Sequence, residues 1–206
     1  MASRGLLVVF EGLDQSGKQT QAEALRDWLI ADGRSVRLLS FPTYDSALGA
    51  EIGRALHGEG DYGADVMQLL YVANRFEWKT DMVRALSEGT TLLCDRYRAS
   101  SVAYGEAQGL DARWLESMQA PLPEPDVTIL LDMAPETSLA RKQTGRDKYE
   151  RDLELLGRVR QSYLRQAEEG QWTVLDAVRD REVVAQDVRA AVAPLLTRHA
   201  PGPAAP

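Results

Sequence analysis

The stretch Leu6-Leu7-Val8-Val9-Phe10-Glu11-Gly12-Leu13-Asp14-Gln15-Ser16-Gly17-Lys18 decides the fold. Leu6 to Phe10 is an unbroken apolar run containing β-branched valines, the pattern of a strand buried on both faces of a parallel sheet. A loop bracketed by Gly12 and Gly17 follows, and from Gln19 the apolar positions Ala22, Leu25, Trp28 and Leu29 fall at helical spacing. The spelling G-x-x-x-x-G-K between a strand and a helix is that of a phosphate-binding loop. Its glycines let backbone N–H groups close around phosphate oxygens, the helix N-terminus adds positive potential, and Lys18 supplies a point charge. Gly12, Leu13, Asp14, Gln15, Ser16, Gly17, Lys18, Gln19 and Thr20 are thus the candidate residues for a nucleotide's phosphate chain. One position departs from the pattern: where a Ser or Thr hydroxyl ordinarily meets Mg²⁺, this chain has Gln19, with Thr20 next. Gln19 can still ligate through its amide oxygen or through water, because Mg²⁺ keeps several of its waters.

Working outward, Val36–Leu39, Thr91–Cys94, Val127–Leu131 and Trp172–Leu175 read as four further short buried strands, separated by helical patterns. The longest such pattern places Val66, Leu69, Leu70, Ala73 and Phe76 on one helix face. Strands alternating with helices imply right-handed crossovers and a parallel sheet, with ligands gathered beyond the strands' carboxyl ends. Functional residues are therefore sought at 12–20, 40–46 and 95–104. The chain has 206 residues, 44% hydrophobic and 27% charged, which suits one α/β domain and excludes collagen-like, disordered and disulfide-framework classes. A formal charge of -7 argues against unspecific nucleic-acid or membrane binding, so anionic ligands need a local positive cluster. The single cysteine, Cys94, fits a reducing compartment, and the cytoplasm is the expected location. No run approaches membrane length. The expected organisation is one domain over residues 1–198 and a flexible tail over 199–206.

Phe10-Glu11-Gly12-Leu13-Asp14-Gln15-Ser16-Gly17-Lys18-Gln19-Thr20-Gln21, then Phe41-Pro42, then Asp95-Arg96-Tyr97, form an ordered series that resembles the thymidylate kinase family. Leu122-Pro123-Glu124-Pro125-Asp126 and the segment 145–152 are also similar, so the resemblance spans about residues 5 to 176. It implies a three-layer α/β fold of the P-loop nucleoside monophosphate kinase type, with a five-stranded parallel sheet, helices on both faces and a short lid near 141–150. It also implies in-line transfer of a phosphoryl group from ATP to dTMP with Mg²⁺, a step toward dTTP, in a homodimer formed through helix faces near 64–86 and 100–107. Arg96, just past a buried strand, is implied to grip the dTMP phosphate. Asp95 has the placement of a Walker-B-type acid near the metal, and Asp14 is implied to help hold metal and acceptor. Tyr71 is implied to stack on thymine and Arg75, four residues on, to bond the base. Tyr104 is implied to lie near the sugar's 2′ position, and Phe41 to line the acceptor pocket. Ser101 replaces an asparagine that some members aim at the base, and Tyr44 replaces an arginine. Glu150 holds a position that approaches the metal in some members, with a plain exposed helix acid as the other reading.

Residues 141–165 carry eight Lys or Arg against four acids, a local reversal of the chain's charge. Arg151, Arg158, Arg160 and Arg165 read better as a solvated helix face laced by i,i+4 pairs. Arg141, Lys142, Arg146 and Lys148 flank Thr144-Gly145, where a lid belongs. In the resembled family a transition-state arginine comes from the phosphate loop after its aspartate or from the lid. Since Gln15 follows Asp14 here, the lid is implied to supply it, through Arg146 or Arg141. Two other readings stay open: a P-loop kinase for a different small acceptor, and a nucleotide-sensing module, which Gln19 alone encourages.

Overall fold

The structure, a computed structural model, describes residues 4–141 and 152–196. Its element order is β1 (Leu7–Glu11), α1 (Lys18–Ala31), β2 (Val36–Ser40), α2 (Ala47–Leu56), α3 (Ala64–Ser87), β3 (Thr91–Asp95), α4 (Arg98–Ala107), α5 (Ala112–Gln119), β4 (Val127–Asp132), α6 (Pro135–Arg141), α7 (Leu153–Glu169), β5 (Thr173–Asp176) and α8 (Arg181–Leu196). The five strands form one parallel sheet in the order β2-β3-β1-β4-β5, the α/β architecture expected from the sequence. Successive side chains of β1 point to opposite faces and bury two different cores. Leu6, Val8 and Phe10 pack with Ala22, Leu25 and Leu29 of α1 and Val188 and Val192 of α8. Leu7 and Val9 pack on the other side with Met82, Ala85 and Leu86 of α3, where Ala103 of α4 and Val159 and Tyr163 of α7 extend the layer.

Every strand ends on a polar residue: Glu11, Ser40, Asp95, Asp132 and Asp176. The apolar runs stop one residue earlier for this reason, since the carboxyl edge of the sheet is where chemistry replaces packing. At that edge the chain leaves β1 through Gly12, whose φ of 139° is open to glycine and which has no room for a side chain: a Cβ would lie 2.5 Å from the Leu131 carbonyl.

The face of α3 that carries Val66 and Leu69 is not its buried face, although Phe76 of the same expected stripe packs against the core. Val66 and Leu69 are 38% and 47% exposed, whereas Met67, Gln68, Val72, Asn74, Arg75 and Met82 point inward. Hydropathy misplaces this face because three of its inward residues are polar. The expectation that residues 100–107 offer an intermolecular face is corrected as well. Val102, Ala103 and Ala107 of α4 are buried within the chain, the latter two against Val159 and Tyr163 of α7. Lys142, Arg146, Lys148, Glu150 and the tail 199–206 lie outside the described residues. No helix among the described residues is long and apolar enough to cross a membrane.

Asn74 fixes the loop after β2. Fully buried, its Oδ1 accepts from the Thr43 N–H at 2.9 Å and its Nδ2 donates to the Thr43 carbonyl at 3.1 Å. Trp78 Nε1 donates to Thr43 Oγ1 at 2.9 Å, and Gly49 of α2 passes so close that a Cβ there would sit 1.9 Å from the Thr43 carbonyl. Phe41 and Pro42, joined by a cis peptide, are held over the sheet edge by this clamp. Replacing Asn74 by Ala leaves the Thr43 amide buried without its acceptor. Urea unfolding should show a loss of about 2 kcal/mol; an unchanged midpoint would mean that the loop is held by Trp78 and α2 alone.

Candidate active site

Two cavities meet at the carboxyl edge of the sheet. The larger, about 600 Å³, is lined by residues 14–21 of the loop and α1, by Asp95 at the end of β3, and by Arg141, Arg179 and Arg181. Lys18 is buried at its floor, and its Nζ donates to the Leu13 carbonyl at 2.9 Å, folding the side chain back under its own loop. Burial, joined by the Arg96 charge, pulls the Lys18 amine below its ordinary value, against the attraction of Asp95, Asp14 and Glu11. An incoming phosphate is therefore met by a cation whose surroundings gain from added negative charge. Arg141, the last residue of α6, spans the cavity mouth: its guanidinium donates to the Gln15 carbonyl at 3.0 Å and the Ala177 carbonyl at 3.1 Å. Gln21 donates to the Arg181 carbonyl at 3.0 Å, tying α1 to the first residue of α8. Gln19 is exposed, and its amide nitrogen donates to Glu23 Oε1 at 2.9 Å, one turn along α1. Thr20, half-buried, also lines this cavity.

The smaller cavity, about 120 Å³, is walled by Phe41, Tyr71, Arg75, Ser101 and Tyr104, with Asp14 and Arg96 on the side that it shares with the larger one. Tyr44, 54% exposed, borders both. Arg96 has a φ of 63°, a left-handed conformation that a non-glycine residue adopts only when its surroundings compel it. Its Nη2 donates to Asp14 Oδ1 at 2.6 Å, its Nη1 to Ser100 Oγ at 3.2 Å and to the Tyr163 hydroxyl at 3.1 Å, and its guanidinium lies 5.4 Å from the centre of the Tyr104 ring. Burial works against this charge, and Asp14 with Tyr104, Tyr163 and Asp95 outweighs burial, so its pKa stands above the ordinary arginine value. Arg75 is in the opposite situation. Nearly inaccessible, it donates to Ser101 Oγ at 2.9 Å and Gln119 Oε1 at 3.0 Å, and burial pushes it down to about 10.

Glu11, Ser100 and Tyr163 escape sequence reasoning. The Glu11 carboxylate is completely buried. Its Oε1 accepts from the Tyr97 N–H at 2.9 Å and the Ser100 N–H at 3.3 Å, so it caps the start of α4 from another strand. Its Oε2 accepts from Ser100 Oγ at 2.6 Å and the Tyr163 hydroxyl at 3.2 Å. Those same two hydroxyls receive the Arg96 bonds. The available signal was Glu11 itself, a carboxylate continuing an apolar strand with no turn between. Tyr163 offers none beyond helical spacing from Val159.

The positive stretch resolves into internal pairs where it is described. Arg160 forms a two-bond pair with Asp132 at 2.8 Å, Arg165 pairs with Glu106 and Glu169, and Arg158 donates to the Ala107 carbonyl. His57 is exposed, and Cys94 is a buried core thiol that burial pushes up, away from nucleophilic use. Among the described residues no three His, Cys, Asp or Glu side chains cluster as a metal cage. Asp95 and Asp14, beside the loop lysine, are the carboxylates at hand, and a metal that shares phosphate oxygens and keeps waters asks for no more.

Comparison with known proteins follows the geometry. The family model described as thymidylate kinase matches residues 10–188. A probable thymidylate kinase of Pyrococcus horikoshii is 39% identical over 200 residues, spanning 92% of this chain and 96% of that protein. The thymidylate kinase of Schizosaccharomyces pombe is 36% identical over 163 residues, 79% of this chain and 77% of that one. Among solved structures, a thymidylate kinase from Candida albicans superposes with a TM-score of 0.79 at 26% identity, covering 95% of this chain and 94% of the other.

Tyr163→Phe removes one hydroxyl that both serves Glu11 and receives Arg96. Steady-state kinetics should show the acceptor KM rising about fivefold to tenfold, the equivalent of one ordinary hydrogen bond lost, with the donor KM unchanged. Equal effects on both substrates would mean a general loss of fold rather than a loosened Arg96.

Proposed function

The chain belongs to the thymidylate kinase family, enzymes that move a phosphoryl group from ATP to dTMP to give dTDP, and we propose that the larger cavity holds ATP and the smaller one dTMP. The observation that carries this reading is the shared wall: Asp14 and Arg96 line both cavities. A phosphate seated at Arg96 therefore lies next to one seated over the loop, the alignment that in-line transfer requires. An oxygen of the dTMP phosphate attacks the γ-phosphorus as the bond to the ADP oxygen breaks, and no side chain becomes covalently attached. Lys18 follows the β- and γ-phosphates, the loop N–H groups of residues 12–18 cradle them, and Thr20 and the exposed Gln19 flank the mouth. Arg96 is released from Asp14 toward the acceptor phosphate, which brings the greater negative charge. Tyr71 stacks on thymine, Arg75 holds its edge, Phe41 and Ser101 close the pocket, and Tyr104 crowds the 2′ position. Tyr44 lies where the two nucleotides meet.

Mg²⁺ would be held by Asp95 and Asp14, directly or through water, and would neutralise charge building on the transferring phosphate. The arginine that enters the transition state is assigned to the lid, to Arg141 or Arg146. Arg141 already reaches the loop at the Gln15 carbonyl, so a small swing would redirect it to phosphate. An arginine delivered on closure completes the site only when substrates fill it, which limits wasteful hydrolysis. The cytoplasm, where dTMP is made into a DNA precursor, is the compartment that fits a single buried thiol.

A homodimer through α3 alone is part of the same proposal. Val66, Leu69 and Val83 are exposed along this helix although each is apolar, and the helix runs directly from the interface candidates to Tyr71 and Arg75. Coupled ADP release measured with dTMP, dUMP, dCMP, dGMP, AMP, UMP and thymidine as acceptors should give dTMP the highest kcat/KM by at least tenfold. A higher rate with any other acceptor overturns the assignment. Leu69→Glu should convert a sedimenting dimer to monomer, because a buried, unpaired carboxylate in an apolar interface is costly; a dimer that survives this change uses another face.

A further inference from the structure

Gln68 is 1% exposed and lies on the inward face of α3, three residues before Tyr71 and seven before Arg75, the spacing of one helix face. It lines the smaller cavity with those two residues. Its Oε1 is sealed from solvent and has no hydrogen-bond partner, and its amide makes no bond to any described residue. Room for it comes from Gly105 of α4: a Cβ there would lie 3.3 Å from Gln68 Cγ and 2.6 Å from Leu115 Cδ1. A buried amide left without partners costs stability, so its retention beside a ligand cavity is a sign that a ligand completes it.

The cavity's other base-facing groups are short of acceptors. Arg75 has donors only, and two of its bonds go to Ser101 and Gln119. Ser101 Oγ already accepts from Arg75, which leaves its proton and one lone pair that the Arg75 charge draws upon. Thymine presents two carbonyl acceptors flanking one imide N–H donor. Donors for the carbonyls are present, and the imide N–H needs an acceptor that only the Gln68 carbonyl has uncommitted on this face of α3.

We infer that Gln68 reads the imide N–H of the acceptor base, making it a specificity-determining residue of the dTMP site. The inference rests on thymine occupying the smaller cavity as proposed above. The amide can turn over, so Gln68 alone would accept cytosine, whose ring nitrogen is an acceptor. Arg75 prevents this, because cytosine places an amino group against its donors. The two residues thus discriminate as a pair: one asks for a carbonyl, the other for an N–H.

The probe is N3-methyl-dTMP, which keeps both carbonyls of dTMP and replaces the imide N–H by N–CH3. The kcat/KM ratio of dTMP to N3-methyl-dTMP should be about 30-fold or more for the parent chain. In Gln68→Leu it should fall to within about threefold, through loss of dTMP activity rather than gain of the analogue. Gln68→Met gives the same reading with a more adaptable side chain should leucine pack poorly. The Tm of the ligand-free Gln68→Leu chain should match or exceed that of the parent, since an unsatisfied amide has been removed. Retention of the parent ratio in the variants, a parent ratio near one, or a lower Tm with both acceptors equally impaired would overturn the inference. A parent chain that ignores dTMP in favour of another monophosphate would instead overturn the assignment of the acceptor.

Discussion

The Glu11 carboxylate is sealed from solvent, and the structure around it is arranged to answer its charge. Four hydrogen bonds from Tyr97 N–H, Ser100 N–H, Ser100 Oγ and the Tyr163 hydroxyl converge on it. Desolvating a carboxylate is costly, and repayment demands donors of correct geometry on every lone pair. Those donors come from the start of α4 and the middle of α7, so one side chain at the end of β1 fixes two helices against the sheet. The corner between β3 and α4 is forced through the left-handed conformation of Arg96 to deliver them. The guanidinium that results is held by the same hydroxyls that serve the carboxylate, so the buried anion sets the position of the cation lining both cavities.

Arg96 and Arg75 show how one residue type is given two tasks by its surroundings. Arg96 has a carboxylate partner, Asp14, and keeps its charge firmly. That partnership leaves the Arg96 charge paired within the chain. Arg75 has neutral partners, Ser101 and Gln119, and its burial is compensated by direction rather than by charge. A planar fork with fixed donors suits the edge of a nucleobase, where geometry matters more than electrostatic strength. The remaining arginines of α7 are spent on Asp132, Glu106 and Glu169. The described α7 part of the positive run therefore supplies helix packing.

The strands were legible to within a residue because both faces of this sheet are covered, so each appears as a continuous apolar run. The single-residue shortfall at each carboxyl end comes from the polar residue that faces the site, and hydropathy counts it as loop. The phosphate loop was legible because its spelling and its place between strand and helix are one constraint seen twice. The inward face of α3 was not, since Gln68, Asn74 and Arg75 are buried for hydrogen bonding, and a hydropathy pattern assigns such residues to water. Glu11 and Tyr163 were hidden for a related reason: their partners lie on β1, α4 and α7, and nothing local announces a contact between residue 11 and residue 163.

The central position of β1 also governs when, in the life of a chain, the site can exist. Its neighbours in the sheet are β3 and β4, and β2, the next strand to be made, pairs only with β3. A ribosome that has finished residues 1–90 has delivered the whole phosphate loop and neither strand that flanks it. Pairings between such distant segments close large loops and form late. The loop lysine, the capped α4 and the Arg96 corner consequently appear together, after residues near 163 have emerged. An incomplete chain thus carries the residues of the phosphate loop without either of the strands that flank it in the sheet.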